Sequence, residues 1–200
     1  KGYKIYRKLI EYVRVRQEMA GYQEISTPAV MDRCLWERSG HWAKYGEHNY
    51  SGKTQDGKVF CIKPMSCPGG MLVFGHGLRS YKDLPLYMAE FGKVHRYEAA
   101  GGLSGLMRVR EFTQDDAHIF CTEEQLEEEV VKILRFIKDI YSKFGFDKIS
   151  MKLATRKESE FRIGSDEIWD MLENSLAEAL TDMGYSYTIN PGDGAFYGPK

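Results

Sequence analysis

The chain has 200 residues, 42% of them hydrophobic and 28% charged, and 28 Lys plus Arg stand against 29 Asp plus Glu for a formal charge of -1. That length carries one good hydrophobic core, and the balance excludes a polycation that binds nucleic acid by bulk charge while allowing a local basic face. No run approaches the roughly 18 apolar residues of a membrane span, and KGYKIYRKLIEY lacks the unbroken apolar core of a signal peptide. Cys34, Cys61, Cys67 and Cys121 form neither a CxxC pair nor a framework spacing, which suits a reducing compartment. The expectation is a soluble, cytoplasmic protein with no membrane partner.

Tyr6, Leu9, Ile10 and Val13 recur at helical spacing before Gly21, which predicts a helix over about residues 4–20. YQEISTP reads as a short strand broken at Pro28, and VMDRCLWERSG as a short helix stopped by Gly40. KVFCIK is a strand, and SCPGGMLVF is an N-capped turn entering a helix with Pro68 in its first turn. LYMAEFGKVHRYE and LMRVREFTQDDAHIFC flank the glycine-rich AAGGLSG and predict an antiparallel hairpin with a long tip. Thr122 with Gln125 makes a capping box, after which Leu126, Val130, Leu134, Ile137 and Tyr141 trace a helical face up to Gly145. Ile149, Met151 and Leu153 alternate as a half-buried strand, and Ser165 opens a helix carrying Ile168, Leu172, Leu176, Leu180 and Met183. YSYTIN and GDGAFYGPK close the chain. Strands and helices alternate irregularly and hairpins are frequent, so the expected class is α+β, a mostly antiparallel sheet flanked by helices, in one domain over residues 1–200.

There is no GxxxxGK[ST], and AAGGLSG is not a GxGxxG between strand and helix, which argues against P-loop and Rossmann enzymes. Glu90, His95, Arg96 and Glu98 precede the tip of the hairpin. Period 2 then places Arg108, Arg110, Phe112, Gln114, Asp116 and His118 in one row after it. Such a row can be the solvated side of a half-buried sheet. It also supplies charge for phosphates, a π-face for a base and hydrogen bonds for a small polar substrate, and the alternate residues Val109, Glu111, Thr113, Asp115, Ala117 and Ile119 make hardly a better core.

FGKVHRYEAAGGLSGLMRVREFTQDDAHIFC resembles motif 2 of class II aminoacyl-tRNA synthetases of the threonyl kind, with an R-x-E, a loop and an R-x-x-x-F. GYQEISTPAVMDRCLWERSGHW looks like motif 1 with its proline at Pro28, CIKPMSCPG resembles the block with the first zinc ligand, and IGSDEIWD and GAFYGPK are further family blocks. The resemblance implies activation of threonine by ATP with Mg2+, followed by transfer to tRNA(Thr). It places Arg96 on the α-phosphate, Glu98 on the adenine amino group, Phe112 under the base and Arg108 on the terminal phosphates. It also implies one Zn2+ on Cys67 and His118, the third protein ligand lying beyond this chain. Met65, Gln114, Asp116, Tyr197 and Lys200 would surround the amino acid, and His41 would stand near the terminal ribose of tRNA as a proton-transfer group. A homodimer built through motif 1 is implied as well.

Two positions depart from the family pattern: Gly70 stands where CPGH has its histidine, and Ser104 where the motif 2 loop commonly has LHG. Motif 3 and an anticodon-binding domain are not in these 200 residues, so the expected assignment is a partial class II catalytic domain. A non-catalytic synthetase paralogue acting as a binding module, and a class II ligase for another amino acid, are the alternatives.

Overall fold

The computed structural model describes residues 1–157 and 161–200, which fall into two units, Lys1–Phe120 and Cys121–Lys200. In the first, helix α1 (Gly2–Met19) ends as its spacing predicts, with Gly21 at φ 85° just past the last turn. Strand β1 (Gln23–Glu24) follows. The next segment departs from expectation: Val30–Asp32 is a strand, β2, and the helix α2 (Arg33–Arg38) begins only after Asp32, whose carboxylate accepts from the Cys34 N–H at 2.8 Å. An aspartate that satisfies an otherwise unpaired helix N–H is a better starting point than the apolar residues before it. Helix α3 (His41–Tyr45), strands β3 (Ser51–Lys53) and β4 (Val59–Ile62), and helix α4 (Cys67–Phe74) complete the approach to the hairpin.

The hairpin is present as β5 (Leu86–His95) against β6 (Glu111–Phe120), antiparallel through ten residue pairs from Leu86↔Phe120 to His95↔Glu111. β1 joins the other side of β5 in parallel, and β2, β4 and β3 make a separate antiparallel sheet. α1 meets the face of β6 without the motif residues at two polar contacts, Gln17 donating to Asp115 at 2.5 Å and Tyr6 Oη meeting Thr113 Oγ1 at 3.1 Å, while Glu111, Asp115 and Ala117 stay exposed. That explains two polar faces on one strand.

Glycines let α4 lie close to the sheet. A Cβ at Gly92 would come 2.2 Å from Ser66 Oγ, and one at Gly69 2.9 Å from the Thr27 side chain. Ser66 was expected to cap this helix, but its side chain makes no cap bond; it is fully buried and its Oγ has no hydrogen-bond partner. Close packing against Gly92 removes it from the N-terminal amides.

In the second unit the Thr122–Gln125 capping box is formed and leads into α5 (Leu126–Lys143). Of the predicted apolar face, Leu126, Val130 and Leu134 are half-buried, but Ile137 and Tyr141 are exposed, and Ile133, Phe136 and Ile140 are half-buried beside them. Strand β7 (Met151–Ala154), helix α6 (Asp166–Asp182) and strand β8 (Tyr187–Asn190) follow, α6 opening at Ser165 as expected. On α6 the anchor is Trp169, not Ile168, which is exposed. Its indole donates to the Ile163 carbonyl at 2.8 Å, and the Ile163 N–H donates to Phe196. β7 and β8 pair in parallel, the crossover that such pairing needs being supplied by the segment with α6. Antiparallel pairings nevertheless outnumber parallel ones among the described strands, three to two. No helix of the described residues is long and apolar enough to cross a membrane.

Candidate functional site

Phe112, Gln114, Asp116 and His118 occupy alternate positions of β6 and therefore one face, opposite Val94, Gly92, Glu90 and Met88 of β5. Arg108 and Arg110 do not belong to this row. The tip closes on itself through a Ser104↔Arg108 bridge, with Gly105 at φ 49°, and strand pairing starts at Glu111. Of the predicted row of six, four lie on the strand and the two arginines before them lie in the turn.

The turn holds a preformed cluster. Arg108 Nε donates to Glu98 at 2.9 Å, and Arg110 Nε donates to the Glu98 carbonyl at 2.9 Å. The Arg110 guanidinium lies 5.4 Å over the Tyr97 ring, and the Arg96 guanidinium 5.1 Å over the Phe112 ring. Arg96 Nε also donates to the Pro64 carbonyl at 3.0 Å, which ties the strand end to the segment before α4. Two cation–ring stacks, and arginines held by the Glu98 carboxylate and by its backbone carbonyl, give a surface of the chemistry that suits an aromatic base with phosphates.

Beside it, Cys67 at the start of α4 meets Asp116 and His118 of β6: their thiol, carboxylate and imidazole ligand atoms all lie within 4.8 Å of one another. Two ligand types favoured by zinc and a hard oxygen converge here. Burial, and then the Asp116 charge, push the Cys67 thiol up to about 11. Burial likewise raises Asp116, against the influence of His118 and with that of Glu90. A bound divalent cation reverses both effects by favouring the ionised ligands. Met65 and Gln114 are half-buried. Tyr197 and Lys200 belong to the second unit, where Tyr197 is exposed and the Lys200 backbone pairs with Ala154 at 2.7 and 3.0 Å. His41 begins α3 and is buried, its Nδ1 2.9 Å from Ser39 Oγ. Burial lowers its pKa and so favours neutral imidazole.

Sequence reasoning named Glu90 but missed what it binds. Lys63 Nζ lies 2.7 Å from Glu90 Oε1, with both side chains buried, and the same carboxylate accepts from the Thr27 N–H at 2.9 Å and the Thr27 hydroxyl at 3.0 Å. Lys63 also donates to the Thr27 carbonyl at 3.2 Å. The network joins the end of β4, the β1–β2 connection and the middle of β5, next to Asp116. A lysine directly after the apolar run VFCI was the visible signal. Behind α4, Thr27, Pro28, Met31, Leu35, Leu72 and Val73 line part of a largely apolar cavity of about 1010 Å³.

Both sequence and fold match known proteins. Residues 50–200 match the tRNA synthetase class II core domain (G, H, P, S and T). The chain is 55% identical over its whole length to a threonine–tRNA ligase of Pelagibacter ubique, of which it covers 31%. It superposes over its full length, with a TM-score of 0.91 and 42% identity, on the RNA binding domain of threonyl-tRNA synthetase from Cryptosporidium parvum Iowa II, covering 49% of that chain. ThrRS-1 from Aeropyrum pernix matches 92% of the chain with a TM-score of 0.81 and 33% identity, over 43% of its own length. The chain thus spans about a third of the curated relative and just under half of these two structures. The fold, the hairpin and the family match agree: the chain belongs to the class II core domains of tRNA synthetases.

Proposed function

We propose that this chain is part of the catalytic core of a cytoplasmic threonine–tRNA ligase, in which the threonine carboxylate displaces pyrophosphate from ATP to give threonyl-adenylate, and the 3′-terminal ribose hydroxyl of tRNA(Thr) then takes the threonyl group with release of AMP. The observation that carries the reading is the convergence of Cys67, Asp116 and His118 beside the arginine-lined turn. Arg96 meets the α-phosphate and stabilises the charge that develops as the threonine carboxylate attacks in line, a task for a permanently charged planar donor. ATP, with Mg2+, divides the Glu98–Arg108 pair, its adenine amino group donating to Glu98 and its terminal phosphates drawing Arg108. Phe112 offers its ring to the base.

Cys67 and His118 would hold the zinc, which would supply a Lewis-acidic anchor for threonine. Asp116 accepts hydrogen bonds from the threonine amino group and hydroxyl, and Met65 and Gln114 line the same side of the amino acid. A site that demands a hydroxyl rejects valine by roughly 10⁴-fold, whereas a pocket sensing one methylene gives only about 10 to 200-fold. His41, held neutral by burial, takes the proton from the attacking ribose hydroxyl. The protein acts as a homodimer, with Pro28 and the apolar surface around its cavity at the interface. Charging of tRNA(Thr) by the full-length protein, with and without a zinc chelator, tests the reading: the account requires threonine esterification that stops on chelation and returns with zinc. Charging that is indifferent to chelation removes the metal from it.

A further inference from the structure

We propose that Ser39 is a positioning residue for His41: it holds the imidazole as the Nδ1–H tautomer, which leaves the lone pair on Nε2 to receive the proton of the attacking ribose hydroxyl. The inference rests on the role given to His41 above and adds the group that sets which ring nitrogen is basic.

The local fold decides the direction of the hydrogen bonds. α2 ends at Arg38, after which the Ser39 N–H donates to Leu35 and the Gly40 N–H to Glu37, both at 3.1 Å. In a continuing helix the Gly40 N–H would reach the Trp36 carbonyl. That carbonyl instead accepts from the Ser39 hydroxyl at 3.2 Å. A serine hydroxyl has a single proton to give, and here it is spent on Trp36. Toward His41 the same oxygen therefore accepts, and Nδ1, 2.9 Å away, carries the hydrogen.

The surroundings keep the ring in this orientation. Gly40, at φ 77°, turns the chain between the two residues and lets α3 open with His41 against Ser39. Trp36, fully buried, stands edge-on to the imidazole with ring centroids 6.5 Å apart, and Tyr45 lies 6.4 Å away on the next turn of α3. A half-turn of the imidazole would bring Cδ2 against Ser39 Oγ and forfeit the bond. Burial lowers the His41 pKa, whereas the Ser39 backbone raises it, the direction expected of a ring that donates to that residue.

In the transfer step the ribose oxygen bonds to the threonyl carbonyl carbon and its proton passes to Nε2. The bond from that carbon to the AMP phosphate oxygen breaks, and its electron pair leaves on AMP. The imidazolium so formed keeps its Nδ1–H on Ser39, a hydrogen bond that the new charge strengthens, so nothing has to rotate. The opposite tautomer would present an N–H to the ribose hydroxyl and could not take its proton.

The test is single-turnover transfer of threonine from preformed adenylate to tRNA(Thr) by the full-length protein, with ATP–pyrophosphate exchange measured alongside. The proteins are wild type, Ser39→Ala, Ser39→Thr, Ser39→Cys, His41→Asn and Ser39→Ala/His41→Asn. Asparagine at 41 keeps a polar group beside Ser39 but has no basic nitrogen. Ser39→Ala should slow transfer by about five- to tenfold, the scale of one hydrogen bond, and slow exchange far less. Ser39→Thr, which keeps the hydroxyl, should transfer within about twofold of wild type, and Ser39→Cys, a weak acceptor, should fall with Ser39→Ala. In the His41→Asn background Ser39→Ala should change nothing further. Transfer by Ser39→Ala within about twofold of wild type overturns the proposal and leaves His41 standing if His41→Asn is slow. Equal slowing in both backgrounds, or exchange that falls as far as transfer, also overturns it, because the hydroxyl then acts other than through the imidazole. Where Ser39→Ala does not fold, Ser39→Cys decides: slowed transfer supports the proposal and unchanged transfer overturns it. Unchanged transfer by His41→Asn removes the role of His41 and the proposal together.

Discussion

Replacing Lys63 with methionine keeps an apolar stem of similar length but strands Glu90 without its counter-charge. The Lys63 and Glu90 side chains are 3% and 6% exposed, respectively, so water cannot take the place of the ammonium. Two Thr27 donors remain on the carboxylate, the N–H at 2.9 Å and the hydroxyl at 3.0 Å, and they share a charge that three donors held before. Breaking a buried pair from one side costs about 3–5 kcal/mol. At about 2–4 °C per kcal/mol for a body of 150–250 residues, the midpoint falls by about 6–20 °C. Urea unfolding of the full-length protein, read by hydrogen exchange at the β5 amides, measures the loss where it arises. Adding Glu90→Leu to Lys63→Met removes the stranded charge and should recover much of it, since buried pairs are often replaceable by apolar residues as a unit. A loss under about 1 kcal/mol, as for an exposed pair, would refute the claim that this network is desolvated.

Arg96→Ala should slow amino-acid activation by at least about 10²-fold, the cost of losing one preorganised donor to developing charge, while threonine affinity changes far less; an unaltered exchange rate removes Arg96 from the mechanism. His41 titrates below its ordinary value of 6.5 because it is buried. The unfolded state therefore binds the proton first, so stability falls as pH drops below about 6.5 and levels off under the folded-state pKa. His41→Asn should remove that part of the slope, and an unchanged pH–stability profile would contradict the assignment. Gly194→Ala would bring a Cβ 2.7 Å from the Thr155 carbonyl oxygen. It should destabilise the Cys121–Lys200 unit by about 1–3 kcal/mol, seen as faster amide exchange at residues 194–200.

Where sequence period and local chemistry coincided, the sequence was a sound guide. The Thr122–Gln125 box, the Ser165 start of α6 and the β5–β6 hairpin are each specified by nearby residues. What it could not reveal depends on contacts between distant segments. Trp169 displaces Ile168 as the anchor of α6 because the Ile163 carbonyl is there to receive its indole. Arg108 and Arg110 leave the strand because the tip closes through Ser104. The Lys63–Glu90–Thr27 network joins residues 27 and 36 positions apart, and a lone lysine after an apolar run does not announce its partner. Of the site, Cys67, Asp116 and His118 were each legible by type, and their meeting required the start of α4 to lie close to the hairpin, where Gly92 leaves room for Ser66.

The most direct test of the account is ATP–pyrophosphate exchange by the full-length protein with a panel of amino acids, each assayed with zinc and after its removal. The account predicts exchange that depends on threonine, is weaker with serine, is negligible with valine, and collapses when zinc is stripped. Exchange driven best by another amino acid, or none with any of them, would contradict it.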